Sequence, residues 1–336
     1  MPTTTGVQND ILASTLRILR DQAIDNTFRV IPLVDAVNTL GNVEDVDGGS
    51  YIDSPVILTD HSTITQLSTG YEAVSLAVKD PMRTASYSWC DATAPVVITR
   101  KEELSNKGER AIIRIAEARL KQTMGMFKRE IEKQLIAGTS TILTELQSLN
   151  GIGGATGWFE ERPFGTQQNT VGGIDKTAFT SSWQNQVQDG TFAANGLKKM
   201  QQLLIDCQQY APEGDVDLIL ASPTSYGLYK DQLQSQERYI SMTEVRNMAG
   251  RLGLEFNGAT MYIEPNLGFA DAGTDCSMYF LNSRLFQIYF DRDAKFALGD
   301  METISGYAAR SSQIALRMQI CTSNLSGHGV LVNAET

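Results

Sequence analysis

The sequence predicts an α+β protein in which a long helix lies across a sheet and a compact α/β unit is inserted between that sheet's strands. Three observations predict it. Between Asn106 and Gly138 one apolar stripe keeps helical spacing throughout. Residues 48–89 before it are almost entirely β-type, with no helical stripe. Near the C-terminus Ile314, Leu316, Met318 and Ile320 alternate with Gln313, Ala315, Arg317, Gln319 and Cys321, the period of a strand with one buried face. That last strand and the β-rich part before the long helix are expected to join in one sheet beneath it.

The helix has marked ends. Asn106 and Glu109 have the spacing of a capping box, and Gly138 can take the left-handed conformation that closes a helix. Ile112, Ala116, Leu120, Met124, Phe127, Ile131 and Leu135 form the stripe, while Arg110, Arg114, Glu117, Lys121, Lys128, Arg129, Glu132 and Lys133 occupy the other face. Residues 107–137 would extend roughly 45 Å at ~1.5 Å per residue. A stripe that long needs an equally long surface, so the helix is read as the spine of an extended subunit.

The chain has 336 residues, enough for two or three compact units. It is 42% hydrophobic and 20% charged, with a net charge of -11 and a pI near 4.8. An acidic chain argues against direct gripping of nucleic acid, though not against enclosing it. The first residues lack the pattern of a signal peptide, and no apolar run reaches the ~20 residues of a membrane helix. Cys90, Cys207, Cys276 and Cys321 are far apart and read as buried free thiols.

In chain order, residues 7–25 are predicted helical through Leu12, Leu16, Leu19 and Ala23, and residues 28–34 a strand interrupted by Pro32. This part is too thin for its own core and reads as an arm. Gly48 and Gly49 open a long hairpin that runs to about Trp89, with Ile64 and Leu67 among its apolar residues. An isolated hairpin is marginal in water, so it needs a partner surface, either its own sheet or a neighbouring subunit. Residues 94–100 form a short strand leading into the spine. A glycine-rich segment follows, with Trp158, Phe159 and Phe164 as anchors. Then helix and strand alternate: Leu197, Met200, Leu204 and Cys207 stripe a helix, residues 216–221 are a buried strand, and Ser222-Pro223 caps another helix. Residues 243–252 are expected helical, and 259–263 and 277–290 are expected strands of the same compact unit.

The residues of catalysis are sparse. His61 and His328 are the only histidines, and both are read as exposed loop residues. No H-E-x-x-H, G-x-S-x-G or Walker pattern occurs. Gly151–Gly157 approaches a dinucleotide fingerprint, but Thr156 replaces the third glycine, and the segment reads as a turn. Glu44, Asp45 and Asp47 lack calcium-loop spacing and read as a solvated acidic turn. Glu160 and Glu161 are adjacent and do not converge as an acid/base pair. The expectation is no catalytic, cofactor or metal site, and a protein whose work is assembly. Its candidate assembly residues are Leu120, Met124, Phe127 and Ile131 on the spine, with Gly48, Gly49, Ile64 and Leu67 in the hairpin.

The segments in this order resemble the major capsid protein of tailed bacteriophages, the Hong Kong 97-like fold that encapsulin shells share. Trp89-Cys90-Asp91-Ala92-Thr93-Ala94-Pro95-Val96-Val97-Ile98 with Glu102, Glu103 and Asn106 is similar to that family's lead into the spine helix. Leu135-Ile136-Ala137-Gly138 resembles its end. Asp217-Leu218-Ile219-Leu220-Ala221-Ser222-Pro223 resembles the strand-to-helix step of its axial domain, and Gly327-His328-Gly329-Val330-Leu331 its ending.

The resemblance implies an N-terminal arm over 1–47, an extended loop over 48–90 and a peripheral domain over 91–140 with the spine at 107–137. It implies an α/β axial domain over 141–295 and returning strands over 296–336. It further implies pentamers and hexamers closing into an icosahedral shell around double-stranded DNA, with a separate scaffolding protein or a trimmed chain, a portal and decoration proteins, and no membrane. Lys79 is the only lysine of the extended loop and reads as an ordinary solvated one. An encapsulin-like compartment and a soluble α/β enzyme are the rival readings. Protected DNA separates the first from a phage shell, and a defined small oligomer would favour the second.

Overall fold

Alternation of apolar and polar residues near the C-terminus produces the strand Ala309–Thr322, around which the first of two large sheets is built. The computed structural model of the chain describes residues 33, 41–59, 64, 66, 68, 70, 71, 73, 80–105, 109–150, 157–159, 170–180, 182–190, 195–211, 214–234, 245–246, 252–267 and 276–332. Cys90–Thr99 runs antiparallel to Ala309–Thr322, in register from Ala309 opposite Thr99 to Met318 opposite Cys90. Phe286–Asp291 pairs with the same long strand and, on its other side, with Val43–Val46 in parallel. A sheet that joins the last strand to one from before the spine therefore forms, from segments more than 200 residues apart, but that strand is Cys90–Thr99; the hairpin strands Tyr51–Ile57 and Met82–Ser88 make a separate two-stranded sheet.

The spine is one helix, Glu109–Ala137. Asn106, its expected cap, lies outside the described residues. Gly138 closes it as expected: its φ is +64° and its N–H donates to Gln134 O at 3.0 Å. A side chain there would also collide, since an added Cβ would lie 2.9 Å from Ser148 Oγ. Phe127, Ile131, Leu135 and Ile136 are buried in the same cluster as Ile314, Leu316, Met318 and Ile320, and Leu120 and Met124 pack against it half-buried. Phe127 meets Phe296 edge-on, with ring centroids 6.2 Å apart.

The second sheet has seven strands in the order Val245–Arg246, Leu252–Phe256, Ala259–Ile263, Leu218–Ala221, Cys276–Leu281, Gly329–Val332 and Gln186–Asp189. The helix Gly196–Tyr210 covers it through Met200, Leu203, Leu204 and Cys207, close to the predicted stripe. The helix Pro223–Gln234 starts where Ser222-Pro223 predicts, with Ser222 Oγ accepting from Ser225 N–H at 3.1 Å. Trp158 and Phe159 are fully buried anchors: Trp158 contacts Tyr87 and Phe286, and Phe159 contacts Tyr279. They join the hairpin to both sheets.

Several expectations are corrected. Val245–Arg246 is a strand paired with Leu252 and Gly253, not part of a helix over 243–252, because pairing at a sheet edge overrides the helical composition there. The residues from 277 to 290 do not stay in one unit. Cys276–Leu281 lies in the second sheet, and Phe286–Asp291 crosses to the first through a short turn at Ser283–Leu285. Glu44 and Asp45 belong to an edge strand rather than a turn, and Lys295 and Arg292 neutralise Asp45 and Asp47 at 2.6 and 2.7 Å. Leu33 is helical and fully buried, not extended. A short helix, Arg100–Ser105, precedes the spine where none is expected. The helix of residues 7–25 lies outside the described residues.

Candidate assembly interface

The hairpin grows from a joint made of two glycines. Gly48 and Gly49 have φ of +69° and +112°, a region that side-chain-bearing residues rarely adopt. Tyr51–Ile57 and Met82–Ser88 then pair antiparallel, from Tyr51 opposite Ser88 to Ile57 opposite Met82. The β period divides the two faces. Val56, Leu58, Ala85 and Tyr87 are buried in the chain's own core. Ser182 Oγ donates to Leu58 O at 2.8 Å, Ser86 N–H to Gly172 O at 2.9 Å, and Tyr87 OH to Thr322 O at 3.2 Å. The base of the hairpin is therefore docked on its own subunit, the first of the two partner surfaces that the sequence leaves open.

The opposite face of the paired strands is open to solvent, as are Ile64 and Tyr71 among the described residues between them. Tyr51, Ile57 and Met82 are exposed, and Ile64 and Tyr71 are 96% and 98% exposed. Leu67, the other apolar residue expected here, lies outside the described residues, as do His61 and Lys79. These large apolar side chains are left uncovered by the described part of their own subunit.

The four spine residues have a different place. Phe127 and Ile131 are buried, and Leu120 and Met124 half-buried, against the first sheet of the same chain. They pack within the subunit rather than on the hairpin. Gly48, Gly49 and Ile64 belong to the hairpin, so the candidate residues form two groups.

Sequence reasoning missed the polar clamps. Arg119 on the spine reaches Glu102 on the short helix with two nitrogens, at 2.5 and 3.1 Å, and also donates to Val97 O at 2.5 Å. Glu102 Oε2 also accepts from Thr99 N–H and Thr99 Oγ1, both at 2.9 Å. Burial alone would raise the Glu102 pKa, but the hydrogen bonds from Arg119 and Thr99 outweigh it and hold the carboxyl below its ordinary range. The signal was present: Thr99-x-x-Glu102 is a capping box. Gln319 on the long strand is fully buried, and its amide donates to Ser88 O and Glu145 O and accepts from Gln147 N–H and Ile320 N–H.

His328 is not an exposed loop residue. It is fully buried, with Nδ1 accepting from Asn282 N–H at 3.2 Å and Nε2 3.4 Å from Thr322 Oγ1. Burial lowers its pKa to about 3, so the ring is neutral. Its flanking glycines signal close packing rather than a loose turn. A Cβ at Gly327 would lie 2.4 Å from Leu285 Cδ1, and one at Gly329 2.7 Å from Cys207 Sγ. Cys90, Cys207 and Cys321 are buried free thiols as expected, with pKa values raised by burial. The Cys276 side chain and residues 151–156 and 160–169 lie outside the described residues. Among the described residues no helix is long and apolar enough to cross a membrane.

No protein-family model matches the chain, and no curated protein matches it in sequence. Solved structures match over nearly its full length. The capsid asymmetric unit of cyanophage A-1(L) superposes with a TM-score of 0.63 at 13% identity, covering 96% of this chain and 99% of that one. The mature capsid of bacteriophage PhiM1 gives 0.54 at 12% identity, over 94% and 91%. The holo-SrpI encapsulin from Synechococcus elongatus gives 0.54 at 12% identity, over 95% and 96%. With its spine helix, two sheets and projecting hairpin, the chain has the Hong Kong 97-like capsid fold.

Proposed function

We propose that the protein is a major capsid protein, a structural shell subunit that assembles through pentamers and hexamers into an icosahedral shell around double-stranded DNA. The observation that carries this reading is the hairpin. Its base is docked on its own subunit, while Ile64 and Tyr71 farther out are bare. A side chain such as Ile64 is worth about 1.5–3 kcal/mol when fully covered. One such donation repeated around a ring gives each subunit two interfaces.

In this reading residues 1–47 are the arm, 48–90 the extended loop, 91–140 the peripheral domain and 141–295 the axial domain. Residues 296–336 return through both, and Phe286–Asp291 is a peripheral strand reached early. The protein acts by assembly and carries no catalytic site. Scaffolding, portal and decoration proteins are its partners in the virion, and it forms its shell in the host cytoplasm.

The encapsulin match supports a second reading, a protein-filled compartment of the same fold. Electron microscopy of the purified protein and nuclease treatment of particles from its native source separate the two. Shells that retain protected DNA support the capsid. Shells holding protein cargo and no DNA support the compartment, and a small discrete oligomer overturns both.

A further inference from the structure

The base of the hairpin is held at three levels. At the root, Arg317 and Gln319 lie two residues apart on the long strand, so their side chains project to one face. Arg317 Nη2 donates to Gly49 O at 3.0 Å and Gln319 Nε2 to Ser88 O at 2.6 Å, which holds each leg where it meets the sheet. At the outer end Ser182 Oγ donates to Leu58 O. Between them lies the tip of a small ribbon. Thr170–Val171 pairs antiparallel with Ile174–Asp175, leaving a two-residue turn at Gly172 and Gly173. Their φ values are +57° and +76°, and positive φ at both positions suits the tightest hairpin turn.

The tip meets the hairpin strand Met82–Ser88. Gly172 O accepts from Ser86 N–H at 2.9 Å. The approach leaves no room for a side chain: a Cβ on Gly172 would lie 2.9 Å from Ala85 Cβ and 3.1 Å from Tyr87 Cζ. A Cβ on Gly173, the next residue, would meet nothing within 4 Å. The ribbon itself belongs to the body. Val171 and Ile174 are buried in the main core, and Trp183 Nε1 donates to Val171 O at 3.2 Å.

We propose that Gly172 is the stop against which the hairpin is set, so that the subunit presents its hairpin already oriented rather than leaving a neighbour to order it. The proposal rests on the shell reading and deepens it. Ordering entropy is then lost on folding and not at association, which leaves more of each contact's free energy for binding. Both glycines of the turn need positive φ, but only Gly172 needs the empty space in front of it. That difference separates a stop from a mere turn.

Gly172→Asn and Gly173→Asn test it in the purified full-length protein before assembly. Asparagine visits positive φ more readily than most residues with a Cβ, so the two variants make similar backbone demands and differ in the space the side chain meets. Deuterium exchange over residues 82–88 should quicken by about tenfold in Gly172→Asn, the effect of losing one backbone hydrogen bond. It should keep the wild-type rate in Gly173→Asn. Exchange over the strand Leu218–Ala221 should be unchanged in both, which separates a displaced hairpin from a damaged fold. Particle yield by sedimentation should fall in Gly172→Asn alone. Ala85→Val crowds the same contact from the hairpin side, in a strand where valine is favoured, and should quicken the same exchange even if Gly172→Asn fails to fold. Unaltered exchange over 82–88 in Ala85→Val, or equal exchange in the two asparagine variants, overturns the proposal. So does full particle yield from a Gly172→Asn protein whose hairpin exchange has quickened. The exchange is read whether or not shells form, so a wild type that forms no shells refutes the shell reading by itself.

Discussion

Arg119 grips Glu102 as a fork, with Nη2 2.5 Å from Oε1 and Nη1 3.1 Å from Oε2. The pair ties the spine helix to the short helix Arg100–Ser105, and through Val97 O and Thr99 to the strand Cys90–Thr99. Three consecutive elements are thus held at fixed angles by one buried carboxylate.

Arg119→Lys keeps the charge but loses the fork, and Glu102→Gln keeps the shape but loses the charge. Each should lower stability by about 2 kcal/mol, the scale of hydrogen bonds to a charged group. Because the Glu102 pKa is lowered, its contribution is present above the ordinary value of 4.5 and is lost as pH falls further. Thermal unfolding at a series of acid pH values should show that loss in the wild type and not in Glu102→Gln. Equal acid sensitivity in both would remove the clamp from the account.

The spine itself should tolerate little. Met124→Pro would break the helix in its interior at a cost of ~3 kcal/mol or more. Leu120→Asp would place an unpaired charge against the cluster that Phe127 and Ile131 enter. Both variants should give little or no sedimentable particle. A normal particle yield from Leu120→Asp would count against the architecture.

The hairpin calls for a cut that leaves its docked base in place. Val56 and Leu58 belong to the chain's own core, so removing residues 55–80 would damage the subunit itself. Replacing residues 61–79 by a short turn spares the docked face. That variant should remain folded by circular dichroism and fail to form stable shells by sedimentation. Stable shells would show that the outer hairpin is not an assembly element.

The spine and the long strand were legible because each buries one face, so periodicity alone reports them. The Leu120–Met124–Phe127–Ile131 stripe and the Ile314–Ile320 alternation both fall where expected. Periodicity carries less information where a strand crosses between sheets. Cys276–Leu281 and Phe286–Asp291 look alike in sequence, and only the turn at Asn282, whose side chain accepts from Arg284 N–H, separates them. Buried polar residues were the least legible. Glu132 sits in sequence among charged positions of the spine's outer face, yet it is buried and its carboxylate accepts from Leu33 N–H.

His328 gives the last prediction, since it is buried where the sequence suggests an exposed loop residue. Asn282 N–H must donate to Nδ1, so the ring proton lies on Nε2, facing Thr322 Oγ1. Protonating the ring would leave Asn282 N–H facing another donor, and burial already holds the pKa near 3. A histidine with a lowered folded pKa contributes stability above its ordinary value of 6.5. That contribution is lost as pH falls from 6.5 towards 3, at up to about 1.4 kcal/mol per pH unit. His328→Gln should therefore cost about 1–3 kcal/mol at neutral pH through lost packing and hydrogen bonds, and should flatten the acid limb of the stability profile. Thermal unfolding across the acid range reads this effect. An acid limb as steep in His328→Gln as in the wild type would mean that the ring titrates freely and is not enclosed as the structure places it.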